Sequence, residues 1–209
     1  MPDRIVREVT LKTLQAAEAL TDQADVLRDL GVDHLSQVRT ADVLASDAVA
    51  ANVQAWAKGT AAALGAWDFA GPFAIAPSLV SLFTLSFRTI KKIGLCYGFE
   101  TNTPAEEIIV LEVFAAASSL YHRDKVRAIH AIDELVAQVH FADIREEQVV
   151  AAVRKISRAV GYNLTRRRAL ANLPALGAIV GGSTNVWLLR DVSWAARNLY
   201  ARRRLNENR

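Results

Sequence analysis

Apolar positions recur at helical spacing along nearly the whole chain, and no stretch shows the alternation with hairpin dipeptides that strands would require. Pro2 and Asp3 open a helix carrying Ile5, Val9, Leu11 and Leu14, predicted to end between Leu20 and Asp22. Residues 23–46 hold short apolar pairs between acidic residues, with Gly31 as a stop, and predict one or two short helices. An alanine-rich helix is expected from Ser46 and Asp47 to about Trp67. After Gly71 and Pro72 comes another, from about Ile75 to Tyr97, closed by Gly98 in the left-handed cap position. Thr103, Pro104 and Glu106 are spaced as a capping box with proline in the first turn, opening a helix to about Tyr121. Further helices are predicted from His122 to His140, from a cap at Asp143 and Glu146 to Gly161, from Thr165 to about Ser183, and from Thr184 to about Arg204. The fold class is therefore all-α, a single-domain helical bundle. Within it, residues 1–45 are read as a helical extension packed on a bundle of residues 46–205.

Two segments carry no charge for about the length of a bilayer crossing. Phe69 to Phe87 is nineteen residues and Ala169 to Leu189 is twenty-one, against the ~17–25 that a spanning helix needs. In the first, Ser78, Ser81, Thr84, Arg88 and Lys91 draw a polar stripe at steps of three and four. In the second, Asn172, Pro174, Gly177, Gly181, Gly182, Thr184 and Asn185 interrupt the apolar run. Both are read as core helices ahead of hairpins dipping into one leaflet, and either ahead of full spans. Gly177, Gly181 and Asn185 follow one another in steps of four, a row of small residues that lets another helix approach closely. The alanine-rich helix offers a matching row at Ala57, Ala61 and Gly65.

Charge sharpens the picture of the C-terminal part. Residues 1–100 hold nine Lys/Arg against eleven Asp/Glu, residues 101–209 sixteen against eleven, and from Arg154 on only Asp191 and Glu207 oppose twelve basic side chains. Arg166, Arg167 and Arg168 precede the second uncharged segment. Arg190, Arg197 and Arg204 follow it at a heptad step, with Trp187 and Trp194 beside them. A basic amphipathic helix with tryptophans at its boundary suits an anionic membrane surface, and these eight residues are the predicted contact. A solvated arginine face on an ordinary terminal helix is the competing reading. Asp191 has no cation three or four residues away on its own helix, so a partner from another segment is expected, with Arg88 as the candidate.

Composition agrees with membrane contact without requiring it: 52% of residues are hydrophobic, above the usual ~45–50%. The net charge of +3 is too small to predict nucleic acid as a partner. One cysteine, Cys96, read as a small buried side chain, fits a reducing compartment, and MPDRIVREVTLK has no apolar core of a signal peptide. The expected location is the cytoplasm, at the inner face of the membrane. Catalytic arrangements are not recognisable. Gly177 to Thr184 has phosphate-loop spacing but Ser183 where a lysine must stand, and the acidic and histidine residues from His122 to Glu147 lack the paired Glu-x-x-His of a metal bundle. No catalytic residue, metal or cofactor is predicted.

Ser86 to Glu107, SFRTIKKIGLCYGFETNTPAEE, resembles a motif of the EcsC protein family, in which a helix ends at a Tyr-Gly pair before a Pro-Glu-rich loop. Pro174, Gly177, Gly181, Asn185, Asp191, Ala195, Tyr200 and Arg203 are similar to that family's closing motif, and the resemblance covers about Ser46 to Leu205. It implies a helical protein named after a gene neighbouring an ABC-type exporter, with no established reaction. The expected partner is thus a membrane lipid surface or an integral-membrane transport protein. The alternative is a soluble enzyme or binding protein enclosing a hydrophobic small molecule, with Arg88, Lys91, Asp191 or Asn185 as its polar groups.

Overall fold

The computed structural model describes residues 2–67, 75–119, 121–139, 147–156, 158 and 177–207, and every regular element among them is a helix. In chain order these are α1 (Pro2–Ala19), α2 (Gln23–Leu30), α3 (Leu35–Thr40), α4 (Val43–Trp67), α5 (Ile75–Cys96), α6 (Pro104–Ala117), α7 (His122–Val139), α8 (147–156) and α9 (Gly177–Glu207).

The ends of these helices follow from local chemistry. Asp22 caps α2 by accepting from the Ala24 amide at 2.8 Å, and Gly31 closes it in the left-handed region at φ +68°. Gly98 does the same after α5 at φ +86°, with its amide bonded to the Leu95 carbonyl and that of Phe99 to Gly94. The Thr103 hydroxyl accepts from the Glu106 amide at 3.3 Å, and Pro104 stands where its missing N–H costs nothing. The reciprocal arm of the predicted capping box is replaced: the Glu106 carboxylate reaches α9 instead. Another difference lies at Ser183 and Thr184, expected as a junction between two helices. Helical backbone runs unbroken from Gly177 through both, so the phosphate-loop spacing there falls on helix and forms no loop. The predicted cap at Asp143 and Glu146, the break at Gly71 and Pro72, and the helix start at Thr165 lie outside the described residues.

α6 is buried around its whole circumference, from Ile108 to Ala117, and forms the centre of the bundle. α5, α7 and α9 pack on it, α7 also meeting α9, while α1 and α2 lie against α5. Phe114 of α6 meets Phe83 and Phe87 of α5 with ring centroids 4.9 Å apart in both pairs, and Leu14 and Ala17 of α1 join the same core. α4 makes its largest contact with α9. Ala57 and Ala61 of α4 are fully buried with Leu82 and Leu85 of α5 and Leu189 of α9. Since Asp47 meets Tyr97 at one level and Trp56 meets Arg88 at another, α4 and α5 are antiparallel. Arg197 at Asp47 and Leu189 at Ala57 show that α9 is antiparallel to α4 as well. The carboxyl end of α4 and the amino ends of α5 and α9 therefore lie at the same pole.

Gly98 has no substitute at its position, because a Cβ there would sit 2.7 Å from Cγ of Arg39 on a backbone that L side chains avoid. Gly98→Ala is expected to lose at least ~1–2 kcal/mol of stability, read as a lower urea midpoint with an unchanged slope. Gly59→Ala, where a Cβ meets nothing within 4 Å, should be neutral or gain up to ~1 kcal/mol from helix propensity. Equal losses at the two glycines would refute this account.

Candidate functional site

The half of α9 nearer its carboxyl end is tied into the bundle by four successive or near-successive arginine contacts. Arg197 donates from Nη2 to Asp47 Oδ2 at 2.7 Å, from Nε to Oδ1 at 3.2 Å, and from Nη1 to Gln54 Oε1 at 2.9 Å. The Tyr97 hydroxyl donates to the same Oδ1 at 2.6 Å. One turn and a half later, Arg203 grips Glu106 with both nitrogens, at 2.6 and 3.0 Å, while the Tyr200 hydroxyl adds a bond at 3.1 Å. The Arg203 guanidinium also lies 4.1 Å over the Phe99 ring. Arg204 donates to Ser46 Oγ at 2.6 Å and to the Ala41 carbonyl, and Arg202 bonds Asp133 at 2.5 Å with His130 beside it. A cation inside this wall, Lys91, is 1% exposed and donates to the Thr101 carbonyl at 2.9 Å.

Burial and neighbouring charge set the protonation of this network. Asp47 is held below its ordinary value of 3.8, first by the Tyr97 hydroxyl, against partial burial, and then by Arg197. Tyr97 is pushed up by burial and by Asp47, and Tyr200 by burial and by the charge of Glu106. Both phenols thus remain donors. Burial above all, with the Asp29 charge adding to it against Lys92, pushes the Cys96 thiol up to about 12, which leaves it an inert core side chain. Asp47 and Glu106 each accept from an arginine and a tyrosine together, Asp133 pairs with Arg202, and Arg204 ends on neutral oxygens, so the arrangement is a fastener across helices.

These contacts change the assignment of the arginine face. Arg197 and Arg204 were expected at a membrane surface, yet Arg204 is 2% exposed and Arg197 is committed to Asp47 and Gln54. Their heptad spacing does put them on one face, but that face looks onto α4. Trp194 is half-buried, its ring 5.1 Å from that of His122. Asp191 pairs with Lys125 of α7 and, at 3.2 Å, with Arg190. Arg88 is not its partner; it lies 4.7 Å over the Trp56 ring of α4. Asn185 is buried at 2%. Gly177 and Gly181 lie on helical backbone, and Gly65 does too, but the packing around all three falls outside the described residues, as do Arg166, Arg167 and Arg168. Ala57 and Ala61, the other half of the expected small-residue row, are buried against Leu189 of α9.

What remains at the surface is a belt that the sequence alone does not assemble. Trp187 of α9 is 61% exposed, with Arg190 one turn away and exposed as well. Trp56 of α4 is 49% exposed beneath Arg88, and Lys58 follows it. Lys58 is the last charged residue of α4, Arg88 the first of α5 and Arg190 the first of α9. The shared packing of Ala57, Ala61, Leu85 and Leu189 puts these three cations at one level. Beyond them, all three helices run to the pole without a single Asp, Glu, Lys or Arg. Asp68, next after α4, is outside the described residues. Among the described residues, no helix is long and apolar enough to cross a membrane.

The fold and this wall of cross-helix charges define an all-α, single-domain bundle locked by its last described helix. The EcsC protein family matches residues 1–205, and the chain belongs to that family. The match takes in α1 to α3 as well as the helices from α4 onward. Of the two stretches that resemble motifs of the family, the first supplies Tyr97 and Glu106 and the second Tyr200 and Arg203, so residues nearly a hundred positions apart meet at Glu106. No curated protein and no solved structure matches the chain.

Glu106→Ala would leave the Arg203 cation buried and alone, and is expected to cost ~3–5 kcal/mol in denaturant unfolding. Glu106→Leu combined with Arg203→Met should recover most of that loss, and a double variant as unstable as the single one would refute the pairing. For Asp47, the folded-state value lies below the unfolded one, so its stabilisation is complete above about pH 4 and drains away as pH falls through the folded value. Asp47→Asn should therefore be less stable than the parent protein at neutral pH, and the difference should shrink as pH falls below 3.8 and through the folded value. A difference that stays constant over that range would remove Asp47 from the acid response.

Proposed function

We propose that this protein is a peripheral membrane protein that seats the uncharged pole of α4, α5 and α9 in one leaflet of an anionic bilayer. Lys58, Arg88 and Arg190 then lie at headgroup level. The observation that carries the reading is the belt: three helices whose bordering charge is basic in every case, at one level, with Trp56 and Trp187 exposed beside it. Tryptophans and long basic side chains are the groups that settle at the boundary between headgroups and acyl chains.

Dimensions favour one leaflet over a crossing. From Lys58 to Trp67, Arg88 back to Ile75 and Arg190 back to Gly177, the uncharged helix lengths come to roughly 14–20 Å at 1.5 Å per residue. That is close to half of a ~30 Å hydrocarbon core. Val80, 43% exposed on α5, lies on the pole side of the belt. Three basic residues at about 1 kcal/mol each supply about two decades of partitioning, which is weak anchoring by itself. Insertion of apolar side chains must provide the rest. In this position the protein would meet an integral-membrane transport partner in the plane of the bilayer, the setting that the family's exporter neighbour implies.

Flotation with vesicles tests the proposal. Binding to vesicles containing about a third phosphatidylglycerol should exceed binding to phosphatidylcholine alone by roughly two decades at low salt. In 1 M salt, where screening falls to ~3 Å, it should drop to the neutral-lipid level and still be measurable. Val80→Asp and Trp187→Asp should weaken binding to both kinds of vesicle while the far-ultraviolet circular dichroism is unchanged. No flotation with either vesicle, or flotation indifferent to both substitutions, would overturn the reading.

A further inference from the structure

Against α6, an open trough of about 720 Å³ lies between α7 and α8. Its floor is small and apolar, made by Ala115 and Ala116 of α6 with Ala128 and Ile132 of α7. The two walls differ in sign. Asp124 and Glu134 of α7 line one, Lys155 of α8 and Arg158 just past it line the other. Glu112, almost buried on α6, accepts from Lys155 Nζ at 2.7 and 2.8 Å with its two oxygens and so holds that cation over the cavity. Lining residues extend along α7 from Asp124 to Leu135, eleven steps, which is roughly 16 Å.

A volume of this size falls in the ~300–1,000 Å³ range of small-molecule sites. Its shape and surface select further. The apolar lining of Ala115, Ala116, Ala128, Ala131, Ile132 and Leu135, with Ser118 and Ser119 beside it, favours an unbranched alkyl chain, because alanines leave room that a bulkier core residue would fill. Carboxylates along one edge and cations along the other favour a headgroup with both charges. A simple anion would meet Asp124 and Glu134, and a simple cation would meet Lys155 and Arg158. We infer that the trough is a binding site for a single-chain zwitterionic amphiphile of the phosphoethanolamine type. The phosphate would lie toward Lys155 and Arg158, the ammonium toward the α7 carboxylates, and the chain along the alanine floor. This site is separate from the pole and goes beyond membrane association.

Equilibrium dialysis with lauroyl lysophosphatidylethanolamine below its micelle concentration, compared with laurate and dodecylamine, tests it. The zwitterion is expected to bind at least about tenfold more tightly than either singly charged amphiphile. Ala128→Trp, which fills the floor, should abolish binding. Arg158→Glu, an exposed substitution that spares the fold, should weaken it about tenfold and carries the test if the tryptophan variant does not fold. Trp187→Asp at the pole should leave lysolipid binding unchanged even where it weakens vesicle binding. Equal binding of the three amphiphiles, no binding of the zwitterion, indifference to Arg158→Glu, or loss of lysolipid binding in Trp187→Asp would each overturn the assignment.

Discussion

The buried pairing of Glu106 with Arg203 constrains everything around it. Taking both charges out of water costs several kcal/mol per ion, and only close geometry with further hydrogen bonds offsets that. The structure supplies both: two short guanidinium bonds, a third from Tyr200, and the Phe99 ring against the cation. Because Arg197, Arg203 and Arg204 each have their own partner on α4, on α6 or in the turn before α4, the register of α9 is fixed to one residue. A slip of one position would rotate the helix by about 100° and shift it by ~1.5 Å, and every one of these pairs would fail together.

The same fastening explains why charge is so unevenly distributed along the helices. Cohesion at one end rests on ions, as at Asp47, Glu106 and Lys91. Cohesion at and just past the belt rests on small and aliphatic side chains, as at Ala57, Ala61, Leu82, Leu85 and Leu189. Ions tolerate water at their edges and hydrocarbon poorly, while close-packed aliphatic side chains tolerate either. A bundle sorted in this way can present its uncharged end to lipid without exposing the contacts that hold α9 in place.

Helix identity and most helix ends were legible in the sequence because they depend on neighbours in the chain. Gly31, Gly98 and the Thr103-Pro104 pair act through their own backbone, and each stands where local rules put it. The direction of the arginine face was not legible. A heptad step says that Arg190, Arg197 and Arg204 share a face, but Asp47 is 150 residues from Arg197, and nothing local says which surface that face meets. Asp191 shows the same limit: the lack of a cation nearby on its own helix pointed to a partner elsewhere, but only packing decides between Arg88 and Lys125. One signal was available. Of the two family-like motifs, one contains Glu106 and the other Arg203, and opposite charges in two such motifs are a reason to pair them. The belt, too, has all its residues in plain view at the edges of uncharged segments, but the antiparallel run of α4 against α5 and α9 is what makes them level.

The hydrogen-bond partners of Arg197, Arg202, Arg203 and Arg204 all precede α9 in the chain. During synthesis, Asp47, Tyr97 and Glu106 therefore emerge from the ribosome long before the cations that complete them, and α4 to α6 must wait with a carboxylate that cannot be buried alone. Domains generally fold as units during translation, amino-terminal parts first. In this protein the order of the chain defers closure until Arg204 has been made. Until α9 docks, the side chains of α4 and α5 that it covers, Ala57, Ala61, Leu82 and Leu85 among them, lack the Leu189 that completes their packing.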